Sequence, residues 1–125
     1  MGGGIINAES LSKVGNSLVK RCDTRDPFRI ADEIGIEVLF YEDIWPLIGM
    51  YKKKKKNRFI FINQDLSERM QRIVCAHELG HDQLHRHLAK GKAIKEFMLY
   101  DMTTKPEYEA NIVASEILLD TDEIL

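Results

Sequence analysis

Residues 73–81, which read Ile-Val-Cys-Ala-His-Glu-Leu-Gly-His, join an apolar run to two histidines four positions apart. Residues at this spacing lie on one face of an α-helix, about 6 Å apart, so His77 and His81 could hold one zinc ion through their ring nitrogens. Glu78 is rotated by roughly 100° from His77. It would stand beside the metal, where a general base can accept a proton from water. Because the HExxH pattern fixes only three residues, the rest of the chain must support this interpretation.

Length and composition predict one soluble domain. The chain has 125 residues, of which 44% are hydrophobic and 30% are charged, and its net charge of −2 argues against direct nucleic-acid binding. The sequence shows neither an apolar run of membrane-spanning length nor a signal peptide, so the expected location is the cytoplasm. Residues 1–9 are interpreted as a disordered start or an expression remnant, and residues 10–125 as a single domain, with a monomer favoured.

Hydrophobic periodicity predicts an α+β fold. The predicted helices cover residues 10–21, 28–34, 67–87 and 106–120, and the predicted strands cover residues 36–40, 48–53 and 58–62. The last two strands read as a hairpin, so the three strands are expected to form a small antiparallel sheet packed on helices. Residues 73–76 are apolar all round, which indicates that the helix carrying HExxH is central and buried. Residues 88–104 read as a loop or partial helix.

A catalytic zinc requires a third protein ligand and an open fourth position. His85 lies eight residues from His77, about 12 Å along one helix, so the two cannot share a metal. Glu107 continues the apolar stripe of the last helix, whereas Glu109 and Glu116 lie on its polar flank. A buried carboxylate needs a partner, and zinc would be one.

Two alternatives stay open on this last helix. Thr104-Lys105-Pro106-Glu107 also matches a capping box, in which the glutamate serves only the helix terminus. The helix alone does not decide between these roles, but a histidine pair that still lacks its ligand favours zinc. Asn111, one turn further on, is either a hydrogen-bond partner of the ligand shell or a surface asparagine.

Five segments together resemble the ImmA/IrrE family of zinc peptidases, in an order and spacing more specific than HExxH alone. They are residues 26–31 (Asp-Pro-Phe-Arg-Ile-Ala), 34–36 (Ile-Gly-Ile), 59–63 (Phe-Ile-Phe-Ile-Asn), 76–81 with His85, and 107–119 (Glu-Tyr-Glu-Ala-Asn-Ile-Val-Ala-Ser-Glu-Ile-Leu-Leu). The resemblance implies a zincin-like fold, a Zn²⁺ cofactor and Glu107 as the third ligand. It also implies a substrate, since members cleave or trigger loss of helix-turn-helix repressors of phages or integrative elements.

The chain departs from the family pattern after this helix. Many members continue Leu-Leu-Met-Pro and then further helices, whereas this sequence has Leu119-Asp120-Thr121 and stops at Leu125. A part that recognises the substrate is therefore expected to be shortened or missing.

The predicted chemistry is peptide hydrolysis with Glu78 as the base. By analogy with other zincins, the strand Phe59-Ile60-Phe61-Ile62 is expected to offer an edge that aligns an extended substrate. His85, Tyr100 and Tyr108 are candidates for stabilising the oxyanion, although His85 reads better as a structural hydrogen-bonding residue. Two other classes of function compete: a zinc-stabilised module that inactivates a repressor by binding alone, and a metal-free domain with histidines bonded in its core.

Overall fold

Within residues 7–119, the part of the chain that the computed structural model describes, the fold consists of four α-helices and a four-stranded sheet. The elements are α1 (Ala8–Cys22), α2 (Pro27–Glu33), β1 (Glu37–Tyr41), β2 (Gly49–Lys54), β3 (Asn57–Asn63), α3 (Glu68–Leu84), β4 (Ile94–Glu96) and α4 (Lys105–Ile117). A 3₁₀ turn, Arg86–Leu88, follows α3. No helix in residues 7–119 has the length and hydropathy needed to span a membrane.

Each α-helix begins at a polar side chain that accepts a hydrogen bond from a backbone amide of the first turn. These caps are Asn7, Asp26, Ser67 and Thr104, the residue types that favour this position because they satisfy an otherwise free N–H group. The helices agree with the sequence prediction to within about three residues at either end. Ala8 and Glu9 belong to α1 rather than to a disordered start, and residues 1–6 and 120–125 lie outside the described residues.

The sheet differs from the predicted antiparallel arrangement of three strands. Its order is β1-β3-β2-β4. The hairpin of β2 and β3 is antiparallel as predicted, but β1 runs parallel to β3, and β4 adds a fourth strand antiparallel to β2. Strand direction depends on where the chain crosses between strands, and the alternation of side chains within β1 carries no information about that crossing.

The role expected for residues 59–62 also needs correction. These residues lie in β3, which pairs with β1 on one side and with β2 on the other. The backbone groups that an added strand would need are therefore already used within the sheet. The sheet ends instead at β1 and β4.

Helix α3 runs through the centre of the domain. Residues 73–82 are all buried, and the helix packs on β2 and β3, on α2 and on α4. Its contact with α4 is tight at Gly80, where an added Cβ would lie 2.8 Å from the backbone of Ala110. Glycine at this position lets α3 and α4 approach backbone to backbone.

We expect Gly80→Ala to destabilise the fold by about 1–3 kcal/mol, the usual cost of overpacking a tight contact. The direction of the change in stability is informative, because alanine in place of glycine within a helix ordinarily stabilises the fold by roughly 1 kcal/mol. Urea unfolding would measure the change, with Arg69→Ala on the exposed side of the same helix as the control. Stability at or above that of the wild type would show that α4 can shift to make room.

Candidate metal centre

Helix α3 places His77 and His81 side by side, with Glu78 between them in sequence. All three side chains are buried, and the two imidazole rings meet edge to face with centroids 4.8 Å apart. Their Nε2 atoms face the same carboxylates on neighbouring elements. The four-residue spacing thus produces the pair of ring nitrogens that the sequence predicted.

Helix α4 supplies Glu107 to this pair. One carboxylate oxygen lies 2.8 Å from His77 Nε2 and the other 3.2 Å from His81 Nε2. The amide of Glu107 also donates to the Thr104 hydroxyl at 3.3 Å, so the helix cap is real. The two roles considered for this residue coexist, because the cap uses the backbone of Glu107 while its carboxylate enters the site.

Strand β4 brings a second carboxylate that the sequence reasoning missed. Glu96 lies 2.9 Å from His81 Nε2 and 3.4 Å from His77 Nε2 and is only 3% exposed. The segment that carries it looked like a polar loop, because three residues are too few to show a strand period. Only its pairing with β2 turns Glu96 inward.

These four side chains form a cluster that suits a metal ion. One ligand atom from each of His77, His81, Glu96 and Glu107 lies within 4.8 Å of the others. Atoms bound at about 2.1 Å to one tetrahedral zinc lie roughly 3.4 Å apart, close to the contacts described above. Imidazole and carboxylate are also ordinary zinc ligands. The residues therefore fit a zinc ion.

The electrostatics of the cluster lead to the same conclusion. Burial alone lowers the pKa of His77, but hydrogen bonds to Glu107 and Glu96 outweigh burial and raise the pKa well above its usual value. The same opposing causes raise the pKa of His81 to about 9. Burial raises the pKa of Glu107, yet its bonds to the two histidines leave that pKa below its usual value. Positive charge is therefore favoured at the point where the carboxylates converge, which is what a divalent cation would supply.

Glu78 stands apart from this network. It is fully buried, and neither carboxylate oxygen has a hydrogen-bond partner within residues 7–119. Burial and the neighbouring Glu96 carboxylate raise the pKa of Glu78 to about 8. The carboxylate reaches β2 at Gly49, where an added Cβ would lie 3.2 Å from Glu78 Oε2 and 2.5 Å from Val74 Cγ1. Burying a carboxylate without a hydrogen-bond partner is unfavourable. A contribution to the stability of the fold therefore does not explain why a glutamate stands at this position.

Further polar residues hold the two histidine rings. Asn111 Oδ1 lies 2.8 Å from His77 Nδ1, and its amide group donates to the Asp101 carbonyl at 2.8 Å. His85 Nδ1 lies 2.9 Å from His81 Nδ1, and His85 Nε2 lies 2.8 Å from Glu109 Oε1. Such partners orient metal-binding imidazoles. Asn111 is buried here, so its reading as a surface asparagine is wrong.

The burial of Glu109 corrects the sequence prediction, which placed this residue on the polar flank of the last helix. It is 7% exposed, and its carboxylate oxygen lies 2.8 Å from His85 Nε2, a contact between elements that the period of α4 alone could not reveal.

Asp82, next to His81, anchors the end of α3 to the sheet and was also missed. Its two carboxylate oxygens accept hydrogen bonds from the Tyr51 hydroxyl at 2.6 Å and from Arg58 Nη1 at 2.7 Å. Burial, together with the hydrogen bond to Asp82, raises the pKa of Tyr51 well above its usual value. These bonds hold α3 against β2 and β3 within one residue of the metal cluster.

A cavity of about 320 Å³ opens beside His77 and Glu96. Most of its lining is apolar, including Ile48, Val74 and Leu118, and Tyr100 and Asn111 also contribute to it. Tyr108 is 42% exposed and is not among the described residues that line this cavity. Of the two tyrosines proposed from sequence, only Tyr100 thus borders the space next to the cluster.

Comparison with known proteins identifies the class. Residues 28–125 match the peptidase M78 family, described as the IrrE N-terminal-like domain, and the chain belongs to this ImmA/IrrE-type family. It is 39% identical over 102 residues to the uncharacterized immunity region protein 2 of Bacillus phage phi105, covering 82% of this chain and 63% of that protein. It is 30% identical over 123 residues to the metallopeptidase ImmA of Bacillus subtilis (strain 168), covering 97% of this chain and 69% of ImmA.

We expect Asn111→Ala to weaken zinc binding by about 10–100-fold, because His77 would lose the partner that fixes its ring. Competition with a chromophoric chelator would measure the affinity. Tyr108→Ala, at an exposed position one turn earlier on α4, is the matched control and should bind zinc as the wild type does. Equal affinities for all three proteins would show that Asn111 does not support the site.

Proposed function

We propose that this chain is a zinc-dependent endopeptidase of the ImmA/IrrE type, which hydrolyses a peptide bond in a regulatory protein. The observation that carries the proposal is the Glu78 carboxylate, which is buried beside a cluster of metal-binding groups and has no hydrogen-bond partner within residues 7–119. A metal site that only stabilised the fold would not require this carboxylate, because its burial is unfavourable. A hydrolase requires one at this place as its base.

In this proposal His77, His81 and Glu107 are the three protein ligands, as the family resemblance implies. A bound zinc would supply a Lewis acid that polarises the scissile carbonyl and makes water a better nucleophile. Asn111 and His85 hold the rings of His77 and His81 in their orientation. Their positions leave the Nε2 atoms of both rings facing the carboxylates.

Glu78 moves the proton. Its carboxylate accepts a proton as the water oxygen bonds to the carbonyl carbon, and it delivers this proton to the nitrogen when the C–N bond breaks. The products are a carboxylic acid and an amine, so all atoms of the water molecule are accounted for. Tyr100 is the better oxyanion candidate, because it borders the cavity beside His77. His85 already has contacts with His81 and Glu109, and Tyr108 is exposed.

The proposed substrate is a helix-turn-helix repressor of a phage or mobile element. Two relatives support this choice, one named for a phage immunity region and the other named a metallopeptidase. Since the chain spans 63% and 69% of these two proteins, the activity of a whole relative is carried over here only as a proposal.

One observation favours a second candidate function. The cluster consists of four protein side chains that can each donate a ligand atom. A zinc ion bound by four protein ligands has no position left for water and is usually structural. On that reading the chain would be a zinc-stabilised module that inactivates a repressor by binding it without cleavage.

We expect Glu78→Gln to reduce repressor cleavage by at least about 100-fold, the lower end of what a general acid–base group contributes. The chain would be co-expressed with a candidate helix-turn-helix repressor. Mass spectrometry would detect the fragments, and zinc content would be measured on the purified protein. The variant should retain zinc, because Glu78 is not one of the proposed ligands.

Glu37→Gln makes the same chemical change on β1, where the side chain is exposed, and it should cleave as the wild type does. Repressor inactivation that persists without fragments in Glu78→Gln would support the binding module instead. Loss of zinc from Glu78→Gln would mean that Glu78 serves the metal and not the proton transfer.

A further inference from the structure

Strand β4 is a short edge strand laid on β2. It contains three residues, and Gly49 of β2 stands opposite Glu96. The amide of Ile48 donates to the Glu96 carbonyl at 2.9 Å. In this register the carboxylate of Glu96 points into the cluster, between the Nε2 atoms of His77 and His81.

Two features of the site conflict if this arrangement is permanent. Four protein donors leave a tetrahedral zinc without an open position, as in structural sites. Glu78 is buried and has no hydrogen-bond partner among the described residues, which suits a site that admits water and substrate. Both features are consistent if one of the four donors can leave.

Glu96 is the donor best placed to leave. His77, His81 and Glu107 lie on α3 and α4, whose backbones pack closely at Gly80 and Ala110, so the elements that carry these three donors are fixed against each other. Within residues 7–119, β4 is paired in the sheet only with β2. The chain that follows it carries Phe97, Met98 and Tyr100, each about half exposed. Segments with few buried contacts open at the lowest cost.

We propose that Glu96 is a fourth, removable metal ligand and that β4 is a blocking strand that keeps the centre closed until it is displaced. This inference rests on the proposed zinc site. Release of β4 would have two effects at once, since it would open the fourth metal position and expose the edge of β2. An extended segment of a protein substrate could then pair with β2 in place of β4.

Acetohydroxamate binding to the cobalt-substituted chain tests the closed position directly. This small chelating anion binds a metal only where coordination positions are free, and the visible spectrum of Co²⁺ changes when it binds. If the open form is about a tenth or less of the wild-type population, the apparent Kd for acetohydroxamate is at least about tenfold weaker than in an open variant. We expect Glu96→Ala and Glu96→Gln to bind it at least tenfold more tightly than the wild type.

The affinity of the two Glu96 variants for zinc should be lower than that of the wild type. Both Glu96 variants lose a carboxylate donor, so a competing chelator should remove zinc from them more readily than from the wild type. A residue that only supported the fold would not weaken zinc binding and strengthen acetohydroxamate binding together. Glu37→Gln, the same change at an exposed position of β1, should match the wild type in both titrations. Because glutamine has nearly the shape of glutamate, Glu96→Gln keeps the test valid if Glu96→Ala fails to fold.

Three outcomes would overturn the inference. Equal acetohydroxamate affinity in the wild type and the Glu96 variants would mean that Glu96 does not close the site, while the zinc site itself would stand. Loss of zinc from the Glu96 variants but not from Glu107→Ala would make Glu96 the ordinary third ligand. A wild-type chain that binds no stoichiometric zinc or cobalt would remove the proposed function as well.

Discussion

The backbone contact between α3 and α4 at Gly80 and Ala110 sets the dimensions of the whole site. It lies between His77 and His81 on one helix and between Glu107 and Asn111 on the other, so the distance across it decides whether imidazole and carboxylate meet at 2.8 Å. A side chain at Gly80 would push the helices apart and separate donor atoms that need near-exact placement around one ion. The packing of α3 on α4 therefore also sets the distances between the side chains of the candidate metal site.

A second constraint is the balance of charge in the interior. Glu78, Glu96 and Glu107 are all buried around two histidines, and such groups are tolerated only when each is compensated. Glu96 and Glu107 contact the histidine rings directly, whereas the carboxylate of Glu78 has no hydrogen-bond partner within residues 7–119. The buried group without a hydrogen-bond partner beside the cluster is therefore the one to which the proposed chemistry is assigned, in line with the common finding that perturbed groups gather at functional sites.

Local patterns in the sequence predicted the helices and their inward-facing residues, because these depend on residues that are close together in the chain. The apolar period placed α3, and the inward stripe of α4 placed Glu107 in the cluster. The parallel pairing of β1 and the existence of β4 could not be predicted, because they depend on contacts between segments far apart in sequence. Glu96 and Glu109 were missed for the same reason, since their burial is created by neighbouring elements and not by the period of their own.

The donors of the cluster come from segments that meet only in the folded chain, with 30 residues separating His77 from Glu107. An ion bound there would act like a cross-link between α3 and α4, because the unfolded chain offers no comparable arrangement. Its binding free energy would then add to that of folding. The melting temperature of this domain would thus rise with the concentration of free metal, and thermal stability would serve as a gauge of how much of the protein is loaded.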